Sequence, residues 1–165
     1  MTETRAGSRS TSPRFGFPET VNETAARTVA GVVAVVAWTI VVFDVQWLVL
    51  LLVYGFIARV VAGPRYSPLG QFASKVVAPR LGGRTVAGPP KRFAQAMGVG
   101  FSVTGAVLFL LGFGTAGRVV IAMLAVAATL EAVFGLCLGC KIFALGMKLG
   151  VVPERVCVQC ANLQL

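Results

Sequence analysis

The chain has 165 residues, of which 56% are hydrophobic and 13% charged, with a mean hydropathy of +0.82. A water-soluble globule does not carry that composition, and apolar runs long enough to cross a hydrocarbon layer, about 20 residues as a helix, point to a membrane protein folded as one bundle. The net charge of +9 comes from 15 Lys and Arg that flank apolar runs without interleaved aromatics, which serves orientation in a membrane and argues against nucleic acid. The lack of any His excludes His-based catalysis, histidine zinc ligation and bis-His haem.

In chain order, residues 1–20 are rich in Ser, Thr, Arg, Gly and Pro and too poor in buriable side chains to offset the entropy of ordering, so a disordered tail is expected. The first span covers about 25–43 and the second about 45–62. They meet at Asp44 with almost no connection and therefore form an antiparallel hairpin, with Arg59 placed to snorkel at the far end of the second span.

Residues 63–92 hold Arg65, Lys75, Arg80, Arg84, Lys91 and Arg92 and read as a loop. Within it Ser67 and Pro68 look like an N-cap and first helical position, and Leu69, Phe72, Ala73, Val76 and Val77 share one helical face up to Pro79. An amphipathic helix lying on the membrane surface is expected there.

The third and fourth spans, about 93–113 and 118–137, form a second hairpin around Gly114 to Gly117. Small residues recur at helix-contact spacing on both: Ala94, Gly98, Ser102 and Gly105 on the third, Ala125, Ala128, Ala132, Gly135 and Gly139 on and beyond the fourth. Those stripes predict close helix approach. The fold class is thus all-α, an integral membrane four-helix bundle of two antiparallel hairpins (domain 21–149) with a surface helix in its middle loop and a cysteine-containing tail at 150–165.

With the N-terminus inside, every Lys and Arg of the 15 except Arg118 lies in a cytoplasmic segment or at a cytoplasmic helix end, as the positive-inside rule requires. The expected location is the bacterial plasma membrane, both termini cytoplasmic. The outer face is then two short turns bearing Asp44 and Arg118, so a site of consequence lies inside or within the bundle.

Thiols are the reactive groups that remain. All four cysteines fall in two C-x-x-C pairs, Cys137 with Cys140 and Cys157 with Cys160, separated by 16 residues. On the cytoplasmic side permanent disulfides are not expected, which leaves metal or redox chemistry. Two C-x-x-C pairs at this separation match four-thiolate zinc sites, and Gly150 and Pro153 allow the tail to fold back. The same atoms suit thiol exchange, in which one thiolate attacks and its neighbour resolves the intermediate.

Lys141, beside Cys140 and one turn from Cys137, is placed to favour a thiolate. A catalytic pair prefers a helix N-terminus, whereas Cys137 stands near the end of a long helix unless Gly135 or Gly139 breaks it. Glu131 is the one acidic residue inside a span; a charge there costs on the order of 3 kcal/mol, so it demands a partner or a proton.

The segment Val21-Asn22-Glu23-Thr24-Ala25-Ala26-Arg27, the two apolar hairpins and above all Phe134-Gly135-Leu136-Cys137-Leu138-Gly139-Cys140-Lys141-Ile142-Phe143 resemble an uncharacterised family of small bacterial, mainly actinobacterial, four-helix membrane proteins known as a domain of unknown function. The resemblance covers about residues 18–163, and its Cys-x-Gly-Cys segment is the most specific part. It implies thiol or sulfur chemistry at the membrane beside thioredoxin-like and rhodanese-type sulfurtransferase proteins, with Cys137 and Cys140 as functional residues.

The leading expectation is a membrane component of cytoplasmic thiol-disulfide or sulfur-carrier chemistry. Cys137 and Cys140 react, Lys141 tunes the thiol, Glu131 handles a proton, and a thioredoxin-like or rhodanese-like partner docks on the basic face. One alternative is a scaffold whose zinc is held by Cys137, Cys140, Cys157 and Cys160. Another is a small permease for a sulfur compound, with Glu131 lining the path.

Overall fold

The computed structural model describes residues 20–62, 68–77, 80 and 85–150. The N-terminal tail, Ser67, Pro79 and the pair Cys157 and Cys160 lie outside the described residues.

Strand β1 (Thr20–Asn22) leads into α1 (Glu23–Phe43), where the Asn22 side-chain oxygen accepts the Ala25 N–H at 3.2 Å and Glu23 stands in the first turn. Both features satisfy the positive end of the helix. Asp44 ends it at φ 55, a left-handed conformation that Asp tolerates better than most residues. After this turn comes α2 (Leu48–Ala62), and then a short helix α3 (Pro68–Phe72) that runs into a π-helical turn over Ala73–Val77. The α3 segment packs on α1, with Ala73 fully buried in the main core.

Strand β2 (Thr85–Ala87) pairs antiparallel with β1, Val21 opposite Val86, which ties the entrance of α1 to that of the next helix, α4 (Gly88–Leu110). Helix α5 (Gly114–Phe134) returns, and a short α6 (Leu138–Lys148) follows it. Several boundaries differ from the sequence reading, and two of the differences bear on the site. Helix α4 starts at Gly88, where Pro89 and Pro90 occupy a first turn that needs no N–H, and α5 stops at Phe134, short of Cys137.

The described part is an all-α bundle in which three helices, α1, α4 and α5, are long and apolar enough to cross a membrane. Helix α2 is apolar but has 15 residues, about 22 Å at 1.5 Å per residue, shorter than a hydrocarbon layer of about 30 Å. Many apolar side chains face outward, as a lipid surround allows, among them Val35, Val42, Leu50, Val107, Leu110 and Val119, while the interior combines small residues such as Ala25, Ala34, Ala37, Ser102 and Ala125 with Ile40, Phe56 and Ile121. Lipid is as apolar as leucine, so helix association there rests on close packing of small residues and on hydrogen bonds.

The packing partners were not legible in the hairpin pattern. Helix α1 packs most extensively on α5, and α2 on α4. Trp38 of α1 donates its indole N–H to Thr129 of α5 at 3.1 Å, and Gly31 faces Ala132. The two hairpin turns meet at one end, where Arg118 Nε lies 3.7 Å from Asp44 Oδ1. All the other described Lys and Arg sit toward the opposite end.

Candidate functional site

The site begins where α5 ends. Gly135 adopts φ 69, its N–H bonds the Glu131 carbonyl at 3.0 Å, and the Leu136 N–H bonds that of Leu130 at 3.2 Å. Glycine enters this left-handed region without the strain a Cβ brings. Arg27 of α1 reaches across to the freed carbonyls, donating to Val133 O at 2.7 Å and to Ala132 O at 3.3 Å. A cation is thereby held at the negative end of α5.

The chain restarts as α6 three residues after Phe134, with Cys137 as its N-cap in extended conformation and Cys140 one turn on. The break at Gly135 thus lifts the objection that the pair sits at the end of a long helix. Both thiols are free, Cys137 at 8% exposure and Cys140 half-buried. Close approach secures α6 against α4. A Cβ on Gly139 would come within 2.6 Å of the Ala94 Cα, and the Phe143 and Phe93 rings pack at a tilt with centroids 5.7 Å apart.

Glu131 has its partner. Lys91, from the first turn of α4, forms a salt bridge with it, their side chains 9% and 14% exposed. Beside them Arg59 of α2, at 6% exposure, donates from Nε to Gln95 Oε1 at 2.9 Å and lies 4.7 Å over the Phe56 ring. Arg59 is therefore buried and does not snorkel, because Gln95 and the ring supply what water would have given. Two buried cations here face one carboxylate among the described residues.

The Cys140 thiol hydrogen-bonds the Cys137 sulfur, and with the charge of Lys91 this holds the Cys137 thiol below its ordinary range, against burial and Glu131. The same hydrogen bond, together with burial, pushes Cys140 well up. The two thiols are thus shifted in opposite directions, Cys137 toward the thiolate and Cys140 toward the protonated thiol.

Of the sequence candidates, the fold brings together Cys137, Cys140 and Glu131. Lys141 is exposed on α6, and the cation whose charge acts on Cys137 is Lys91. Sequence reasoning assigned Lys91 to the loop; the Pro89-Pro90 helix start was the signal that it belongs to a span. Cys157 and Cys160 lie outside the described residues, and among those residues no group of three or more Cys, Asp or Glu gathers to hold a metal.

A cavity of about 260 Å³ adjoins Cys137. Glu131, Arg59, Gln95 and Cys137 line one end of it and Val33, Phe101 and Leu124 the other.

Fold and site define a helical bundle suited to a membrane, with a free dithiol at the start of a short helix beside a buried ion pair. The chain belongs to the family described as Domain of unknown function (DUF4395), whose family model matches residues 21–148. That stretch includes Cys137 and Cys140 and stops before Cys157. No curated protein and no solved structure matches the chain.

Proposed function

We propose that the protein is a membrane component of thiol-disulfide exchange on the cytoplasmic side, in which the Cys137–Cys140 couple accepts two electrons from a soluble thioredoxin-like dithiol. The observation that carries this reading is the restart of the chain at Cys137, which sets the pair on a helix N-terminus within the field of Lys91. A stabilised Cys137 thiolate favours the reduced form, and so makes the disulfide form an oxidant.

The exchange balances as follows. A thiolate of the partner attacks the Cys137 sulfur of the Cys137–Cys140 disulfide, a mixed disulfide forms, and Cys140 leaves and takes up a proton. The partner's second thiol, losing its proton, attacks its own half of the mixed disulfide and releases Cys137 as a thiolate beside Lys91. The partner ends oxidised and the pair reduced. The cytoplasmic placement is supported by the gathering of Arg27, Arg59, Lys75, Arg80, Lys91, Arg92, Lys141 and Lys148 toward this end of the bundle. The exposed members of that set offer a basic face for docking.

The test is thiol and zinc quantification on anaerobically purified protein, followed by equilibration of the full chain with reduced and oxidised thioredoxin. A reversible disulfide between Cys137 and Cys140, lost in Cys137→Ser and Cys140→Ser, is expected. One tightly held zinc per chain that silences all four thiols would overturn the reading in favour of a structural four-thiolate site.

A further inference from the structure

An oxidising dithiol couple needs somewhere to send its electrons, and the cavity beside Cys137 has the shape and chemistry for the receiver. It is lined by α1, α2, α4, α5 and α6, with Ala30, Phe56, Gly98 and Ala128 among its walls, so most of its lining is apolar. Its polar end holds Arg59, buried at 6% exposure, with Gln95 and Glu131, and Cys137 is part of the same wall. Met123, Leu138 and Ile142 line the cavity and are also exposed on the outside of the bundle, so the mouth is apolar. A ligand that enters there comes from the hydrocarbon phase, since nothing at the rim rewards a hydrated one.

From Glu131 to Leu124 the cavity follows α5 for about two turns, about 10 Å along the axis. That is room for one substituted ring, with an aliphatic tail trailing past the mouth into lipid. The guanidinium of Arg59 and the amide of Gln95, both in the cavity wall, are hydrogen-bond donors suited to ring carbonyl oxygens.

We propose, resting on the thiol-exchange reading, that this cavity binds a lipid-soluble quinone and that the reduced Cys137–Cys140 pair transfers two electrons to it. In the step an S–S bond forms between Cys137 and Cys140, and both ring carbonyls become hydroxyls. One proton comes from the Cys140 thiol, and the other is taken up from cytoplasmic water through the Lys91–Glu131 pair, because Cys137 enters the step as a thiolate. The dithiol is oxidised to the disulfide, the quinone is reduced to the quinol, and apart from that proton no further reactant is required. The quinol leaves through the apolar mouth, and the disulfide is ready for the next soluble dithiol.

The experiment uses the full chain in phospholipid vesicles, reduced with thioredoxin and freed of excess reductant under anaerobic conditions, then mixed with decylubiquinone. Its ring is fully substituted, which prevents a thiolate from adding to the ring. One quinol formed per disulfide gained is expected, with none above background in Cys140→Ser. Ala128→Leu, which fills the cavity, should raise the quinone concentration for half-maximal rate at least tenfold. Val107→Leu, on an exposed face of α4 away from the cavity, should leave it unchanged.

Photolabelling of the wild-type protein with an azidoquinone gives a reading that does not depend on a variant folding: label on the peptides carrying Gly98 to Phe101 or Met123 to Ala128 supports the site, and label confined elsewhere overturns it. Wild-type protein that exchanges with thioredoxin but leaves decylubiquinone oxidised overturns the quinone proposal alone. Failure of exchange with thioredoxin overturns the parent reading as well.

Discussion

Cys137 and Lys91 stand 46 positions apart in the chain, yet the charge on one acts on the thiol of the other. Because the thiolate is the reacting form, a Cys137 thiol held below its ordinary range makes alkylation reach its plateau at lower pH than for a free cysteine. The rate of Cys137 alkylation by iodoacetamide, followed against pH in a chain whose tail cysteines are replaced by Ser, reports this directly. Lys91→Met removes a charge that lowers the Cys137 value, so the profile moves to higher pH and the rate at neutral pH drops. Cys140→Ala moves it in the same direction by deleting the largest contribution. A profile unmoved by both changes would mean that neither group controls the thiol. Glu131 was legible beforehand as a residue in need of a partner, because a bare carboxylate in a span is costly. Which partner answered was not legible, since Lys91 looked like one of several loop cations.

At the scale of elements, the break between α5 and α6 decides the chemistry of the pair. Were α5 continuous through residue 140, both sulfurs would sit on the negative end of a long helix, where a thiolate is disfavoured. Gly135 makes the break, and its φ of 69 is the reason only glycine serves there without strain. Gly135→Ala is expected to cost about 1–2 kcal/mol in stability from the left-handed conformation alone. The sharper expectation concerns reactivity: with the break relaxed, the alkylation profile of Cys137 shifts toward that of an ordinary thiol. Gly139 acts differently, through space. A side chain there meets the Ala94 backbone, so Gly139→Val is expected to cost about 1–3 kcal/mol by overpacking and to push α6 off α4. Thermal unfolding in detergent measures both losses, and equal wild-type stability in either variant would refute the packing described.

The whole molecule is organised by charge. Among the described residues the cations collect at the dithiol end, while Asp44 and Arg118 close the other, where the two hairpin turns meet. In intact cells an impermeant maleimide is expected to label Arg118→Cys in a cysteine-free background and to spare Cys137 and Cys140 until the membrane is opened. Labelling of Cys137 or Cys140 from outside would reverse the orientation and, with it, the proposed soluble partner.

Composition, the length of the apolar runs and the placement of Lys and Arg were enough to read an all-helical membrane bundle from the residues in order, because a chain that crosses lipid must satisfy its backbone internally and continuous apolar runs of this length do so as helices. The C-x-x-C pair was equally visible, being a local feature of four residues. Tertiary structure alone decided that α1 lies against α5, that Lys91 answers Glu131, that Arg59 is buried on Phe56 and Gln95, and that a cavity opens beside Cys137. Periodicity tells which side of a helix avoids its surroundings, and small-residue stripes tell that something approaches closely. Neither names the neighbour, which depends on how all the helices pack at once.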